Sequence, residues 1–265
     1  SGKAIPNFET LKKLSNYFGV SIDYLSVKDN ATDNEKGMIL FRKAVLIIHG
    51  FAGGTYDQER LANYLERHAK LDVYSFTLPG HEKRTFKTAK YQEWIKASEE
   101  MIDSLIKDGY RSIYLIGHSM GGVIATYLSS KYPQVKKLVL AAPAFNYLVV
   151  EGESSTMDKF KSGINMVINN DRDEVFTRFL KLPITSFSEF TKLVDKYKDS
   201  YKDVNVPTLI LQGDKDTLVP IKSSMELYEN LPVKEKNLVI LNGYTHDIFR
   251  EKDNKALIEV EKFLL

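Results

Sequence analysis

The sequence predicts an α/β fold, a mostly parallel β-sheet with helices on both faces. Three observations predict it. Short β-branched runs alternate with longer amphipathic ones from Ala44 onward. The short runs are apolar almost throughout, as strands covered on both faces must be. A chain of 265 residues with 43% hydrophobic content can also bury the core of one large α/β domain.

Six runs read as strands: KAVLIIHG, LDVYSFTL, RSIYLIG, KKLVLAA, VPTLILQG and KNLVILNG. Between them, helical spacing predicts helices at Tyr56 to His68, Tyr91 to Lys107, Met120 to Lys131, Ile221 to Asn230 and Lys255 to Leu264. One interval breaks this rhythm. Roughly sixty residues separate LVLAAPA from VPTLILQG, where a crossover needs only about a dozen. Met157, Phe160, Phe176, Phe179, Phe187 and Phe190 are spaced there among charges, which suits short amphipathic helices. The expectation is a helical lid, at about 145–204, over the C-terminal edge of the sheet.

Composition excludes several classes of function. The 37 basic and 35 acidic residues are well mixed and leave a net charge of +2, so no footprint for nucleic acid or anionic membrane stands out. The absence of cysteine excludes a thiol nucleophile, a disulfide framework and thiolate metal sites. The longest apolar stretch, Leu138 to Val150, is interrupted by Pro143 and Asn146 and falls short of the ~18 residues a spanning helix needs. With no signal-peptide pattern visible, the expected location is cytoplasmic, without a membrane span.

The stretch YLIGHSMGGVIA, Tyr114 to Ala125, carries the chemistry. Strand-type residues lead into it and helical spacing leads out, so Ser119 lies on a strand-to-helix turn. Gly117 and Gly121 flank it where side chains would collide, giving the pattern G-x-S-x-G. Such a corner lifts a hydroxyl toward a cleft beside the first N–H groups of a helix, here that of Met120. Glycine makes up about 7% of residues, so 19 serines would give this pattern by chance about one time in ten; context must carry the rest.

A serine needs a base, and the base needs an orienting carboxylate. Of five histidines, only His246 follows Ser119 in the chain, in NGYTHD just beyond the last strand run. The acid should lie between them at a strand end, and LQGDKDTLVP offers both Asp214 and Asp216. A first aspartate after a strand ordinarily satisfies local backbone N–H groups, while the second reaches outward, which favours Asp216. A second oxyanion donor should come from the loop after the first strand, IIHGFAGG, where the N–H of Phe51 follows Gly50. His49 reads as a residue that fixes this loop, and His118 as the variable residue of the pentapeptide.

Gly117 to Gly121, the G-x-x-D-x-x-V-P arrangement from Gly213 to Pro220, the HGF loop and GYTH together resemble the α/β-hydrolase superfamily, over Ala44 to Leu265. Within it the chain most resembles small bacterial carboxylesterases and monoacylglycerol-lipase-like enzymes. The resemblance implies the α/β-hydrolase fold, a small-molecule ester substrate, no cofactor and no metal. It implies Ser119 as nucleophile, His246 as base, Asp216 as its partner, and the N–H groups of Phe51 and Met120 as the oxyanion hole. Amide or proline-peptide hydrolysis on the same fold is the alternative. The antiparallel strand pair that usually precedes the first such strand is nearly missing, with only Met38 to Arg42 to supply it.

Residues 1–36 follow another pattern. In IPNFETLKKLSNYFGVSIDYLS, Phe8, Leu11, Leu14 and Phe18 follow helical spacing, Gly19 offers a stop and Ser21 a cap for a second short helix. Ile5 to Ser26 resembles the last two helices of Cro/C1-type helix-turn-helix domains. The groove-reading helix of that family is absent, so a truncated remnant or helical arm is expected, with no nucleic-acid partner. This likeness also raises a ligand-sensing regulator as a second alternative. The hydrolase domain is expected from 37 to 265.

Overall fold

The structure, a computed structural model, describes residues 43–69, 71–82, 87–146 and 183–265. The N-terminal arm, the Met38 to Arg42 segment and most of the insert, with Phe176 and Phe179, lie outside the described residues. Six strands, β1 (Lys43–Ile48), β2 (Asp72–Ser75), β3 (Ser112–His118), β4 (Val135–Ala141), β5 (Thr208–Gly213) and β6 (Lys236–Leu241), form one sheet. Their order is β2-β1-β3-β4-β5-β6, and every neighbouring pair is parallel.

The strands divide their side chains between two apolar layers. Ala44, Leu46 and Ile48 of β1 enter one cluster while Val45 and Ile47 enter the other. Ile113 and Leu115 of β3 likewise oppose Tyr114 and Ile116. Val45, Leu46, Ile47 and Ile48 are all 0% exposed, so each contributes about 1.5–3 kcal/mol by burial, and β1 can hold no polar residue there. At the sheet's edge the demand relaxes, and Ile240 of β6 is 43% exposed.

Helices α2 (Tyr91–Lys107), α3 (Met120–Lys131), α4 (Ile184–Tyr197) and α5 (Ile221–Asn230) pack with the first cluster, and α6 (Lys255–Leu264) with the second. The helix expected from Tyr56 to His68 needs correction. It is a 3-10 turn at Thr55–Asp57, then α1 (Glu59–Tyr64), then a π turn at Leu65–Ala69. Its ends are held by different partners. The Asp57 carboxylate accepts the Gly54 N–H at 3.1 Å and tightens the start. Leu61 and Leu65 stay buried inward, while Tyr64 stacks on His68 and donates its hydroxyl to Glu261 of α6. Strand β2 is also shorter than LDVYSFTL suggests, because the Leu78 N–H leaves the ladder for His49 Nε2, 2.9 Å away. Among the described residues, no helix is long and apolar enough to cross a membrane.

The chain reverses direction across the sheet between β1 and β3, since β2 lies to one side of β1 and β3 to the other. In an open parallel sheet, the crevice beyond the C-terminal strand ends at such a point is where ligands bind. Among the described residues, three non-glycine residues have positive φ, namely Ala52 (61°), Ser119 (53°) and Ala142 (44°), and they follow β1, β3 and β4 at that edge. Backbone strain is thus gathered on one side of the sheet.

At the β3–α3 corner, a Cβ on Gly117 would lie 2.3 Å from the Gly121 carbonyl oxygen, and one on Gly121 would lie 2.2 Å from the Ile48 carbonyl oxygen. Gly243 has φ of +82° but nothing within 4 Å of such a Cβ. Gly121→Ala is therefore expected to destabilise the protein by about 3 kcal/mol or more, since backbone must move. Gly243→Ala should cost about 1–2 kcal/mol, the left-handed strain alone. Urea unfolding of the two variants checks the order, and an equal loss would contradict it.

Candidate active site

Ser119 caps α3 with φ 53° and ψ −116°, a conformation that costs about 1–3 kcal/mol. Its backbone bonds hold it there. The Ser119 N–H donates to Ala141 O at 2.8 Å, and its carbonyl accepts the N–H groups of Gly122 (2.9 Å) and Ala144 (3.1 Å). The Met120 N–H, at the first position of α3, has no intrahelical acceptor and lies at the positive end of the helix dipole.

The register Ile48↔Gly117 brings the loops after β1 and β3 side by side. A Cβ on Gly50 would stand 3.0 Å from Ser119 Cβ, so the HGF backbone runs directly against the serine. Phe51 comes next, and its ring is only 7% exposed. The ring stacks on Phe190 of α4 at 5.0 Å and 14°, and meets Phe187, Trp94 and His81 edge-on at 6.4, 6.2 and 5.8 Å. His49 fixes the same loop from within. Its Nε2 accepts the Leu78 N–H, so its proton sits on Nδ1, which lies 2.8 Å from Gly50 O.

His246 and Asp216 meet across the ends of β6 and β5. The His246 Nδ1–H donates to Asp216 Oδ2 at 2.8 Å, and the two side chains are 5% and 0% exposed. This fixes the tautomer in which Nε2 is the basic nitrogen. Asp216 Oδ1 accepts the N–H groups of Leu218 and Val219 at 2.9 Å each, and Oδ2 also accepts Gln212 Nε2–H at 3.0 Å. Burial alone would raise this carboxyl's pKa. The facing His246 and the backbone N–H groups outweigh it and hold the pKa below the usual range.

Asp214 does other work, accepting the Gly243 N–H at 2.6 Å and so tying β5 to the loop that carries His246. The favoured aspartate is thus the one paired with the imidazole, but for a different reason than its position in the turn. It is Asp216 that takes the local backbone N–H groups as well as the ring, while Asp214 reaches across to a neighbouring loop.

Two residues that sequence reasoning left unassigned join the site. Gln212, 0% exposed, donates to Asp216 and to Val219 O and accepts from Ser224 Oγ at 2.7 Å. The signal was a polar residue at the end of an otherwise apolar strand. His118 is 7% exposed, with Nε2 2.8 Å from the carbonyl oxygen of His246 and the two rings 5.0 Å apart. A serine on a strained corner, a carboxylate-oriented imidazole and backbone N–H groups on one sheet edge are the kinds of group that acyl transfer uses.

Asp216→Asn is expected to lower kcat about a thousandfold or more by losing the imidazolium's partner, whereas Asp214→Asn should stay within about tenfold of wild type. Steady-state kinetics on one substrate compare them, and a larger loss at Asp214 would reverse the assignment. Acid should also weaken the fold. Burial, the first cause at both residues, lowers the pKa of His81 and His118 from 6.5 to about 4. Between those values the unfolded chain binds protons that the folded one refuses, so stability falls as pH drops through this window. Urea midpoints at pH 7 and pH 4.5 measure it, and an unchanged midpoint would contradict it.

Known proteins resemble this chain over most of its length. A family model described as "Serine aminopeptidase, S33" (Hydrolase_4) matches residues 41–253. The chain is 27% identical over 247 residues to "Putative esterase/lipase 3" of Mycoplasma pneumoniae, covering 83% of this chain and 88% of that protein. It is 24% identical over 223 residues to "Thermostable monoacylglycerol lipase" of Bacillus sp. strain H-257, covering 81% and 87%. Among solved structures, the Paleococcus ferrophilus monoacylglycerol lipase superposes with a TM-score of 0.64 at 19% identity, over 83% of this chain and 93% of that one, which shows the shared fold. A match that spans all six strands and every loop of the site makes the chain a member of the serine aminopeptidase S33 (Hydrolase_4) family of α/β-hydrolases.

Proposed function

We propose that this protein is a serine hydrolase that cleaves carboxylic esters of short to medium acyl chains or monoacylglycerol-like substrates. The observation that carries the proposal is the 2.8 Å Asp216–His246 pair, on a loop hydrogen-bonded to the residue preceding the strained Ser119. In this reading His246 Nε2 takes the Ser119 proton as Oγ attacks the acyl carbonyl. The Phe51 and Met120 N–H groups hold the resulting oxyanion, with Gly117 and Gly121 making room for the elbow. Collapse releases the alcohol, which takes the proton from His246 and leaves an acyl-serine. Water then attacks by the same route, restoring Ser119 and releasing the acid.

The relatives, named as esterases and lipases, favour esters over the peptide bonds that a serine aminopeptidase cleaves. The remaining assignments belong to the same proposal. A cytoplasmic hydrolase domain spans residues 37–265, and its insert at about 145–204 serves as the lid. The described end of that insert supports the lid reading, because Phe187 and Phe190 of α4 lie against the ring of Phe51.

If the lid lines an acyl pocket, each buried methylene contributes up to about 0.8 kcal/mol, or about fourfold in kcat/KM. A series of p-nitrophenyl esters should therefore rise from acetyl to a maximum between butyryl and octanoyl. Ser119→Ala should abolish turnover and covalent labelling by a fluorophosphonate. Labelling that survives the substitution would place the nucleophile elsewhere. Proline-terminated amides turned over faster than any ester would overturn the substrate class.

A further inference from the structure

We propose that His118 is a positioning residue for the reaction, donating its Nε2–H to the His246 carbonyl and thereby fixing the backbone that carries the base over the nucleophile. This rests on the reading of Ser119 and His246 as nucleophile and base. Three observations support it. The carbonyl oxygen of His246 accepts two hydrogen bonds, from His118 at 2.8 Å and from the Ile248 N–H at 3.0 Å, which uses both of its lone pairs. A carbonyl can only accept, so the His118 proton sits on Nε2. The other side of the ring faces the oxyanion loop, with Nδ1 3.2 Å from where a Cβ on Gly50 would stand. One side chain thus touches the serine corner, the histidine loop and the HGF loop.

The ring's charge state suits the task. Burial, followed by the nearby His246, lowers the His118 pKa to about 4, so the ring stays neutral and keeps a single proton for the carbonyl. A second cation 5.0 Å from His246 would oppose the positive charge that ring acquires in the reaction. His118 also sits in register with Ala141 on β4 as the last residue of β3. The sheet therefore anchors it more firmly than a loop residue would be.

Glutamine and asparagine separate a donor from mere ring volume. The Gln Nε2–H reaches about as far as that of histidine, whereas the Asn amide stops one bond short. His118→Asn should lower kcat about tenfold to a hundredfold with KM unchanged, as expected for a base displaced by an ångström or less. His118→Gln should stay within about threefold of wild type. Thermal unfolding of both variants, and counting of competent sites with a fluorophosphonate, correct for lost protein. Equal kcat for both variants, whether high or low, would overturn the proposal, as would a fall in kcat of the Asn variant that only follows its fraction folded. Imidazole nitrogen NMR on the unmutated protein provides the check that no substitution can spoil, and an Nδ1–H tautomer at His118 would overturn it. A wild-type protein that neither hydrolyses esters nor is labelled at Ser119 would overturn the hydrolase reading itself and this proposal with it. Full activity of the Asn variant beside an active wild type overturns this proposal alone.

Discussion

The close approach of three backbone segments at the β3–α3 corner is the constraint on which the site depends. The Ile48 carbonyl of β1 lies where a side chain on Gly121 would be, and the first turn of α3 lies where one on Gly117 would be. With that space filled by main chain, Ser119 has one conformation, at φ 53°, and the strand beside it supplies an acceptor for its N–H. Everything else in the site is measured from this point. The HGF loop lies next to it because β1 is in register with β3, and the histidine loop lies over it because β5 and β6 continue the same parallel order.

Electrostatically, the site pairs an ionised carboxylate with imidazoles that burial keeps neutral. Asp216 stays charged because four hydrogen bonds, two of them from main-chain N–H groups, compensate for its loss of water. His81 and His118 lose their protons to the same burial without comparable compensation. In the proposed reaction, a base that must become a cation, then return to neutrality, benefits from fixed dipoles more than from a second mobile charge.

Much of this was legible in the sequence, for identifiable reasons. Helices α3 and α5 end where Pro133 and Pro232 follow closely, and α5 begins after Pro220, so their boundaries are written in residues that cannot continue or that start a helix. The strands announced themselves because both faces are buried. The segment from Thr55 to Ala69 did not, since 3-10, α and π turns each differ from the next by less than a residue per turn and share one apolar pattern over so short a length. Asp216 was reached by its place after β5, but the true distinction between it and Asp214 lies in which part of the loop after β6 each meets, the His246 ring for Asp216 and the Gly243 main chain for Asp214. Nothing local to residue 118 records that its ring meets residue 246, because that contact joins positions far apart in the chain. Gln212 is an intermediate case, with a polar residue in an apolar strand hinting at a partner without naming it.

The insert between β4 and β5 bears on how readily this scaffold can change. Closing a loop of roughly sixty residues instead of about a dozen costs only about 1.5 kcal/mol of additional chain entropy, because the cost grows with the logarithm of length. Part of that is returned by α4, whose Phe187, Phe190 and Leu193 are 2%, 4% and 0% exposed against the rest of the core. The length of the insert therefore adds little chain-entropy cost to the sheet, so long as those few anchoring residues are kept. Lengthening or shortening the chain between Ala144 and Pro183 becomes a step of small entropic cost. Selection can then act on the length of that segment while leaving the Ser119 corner untouched.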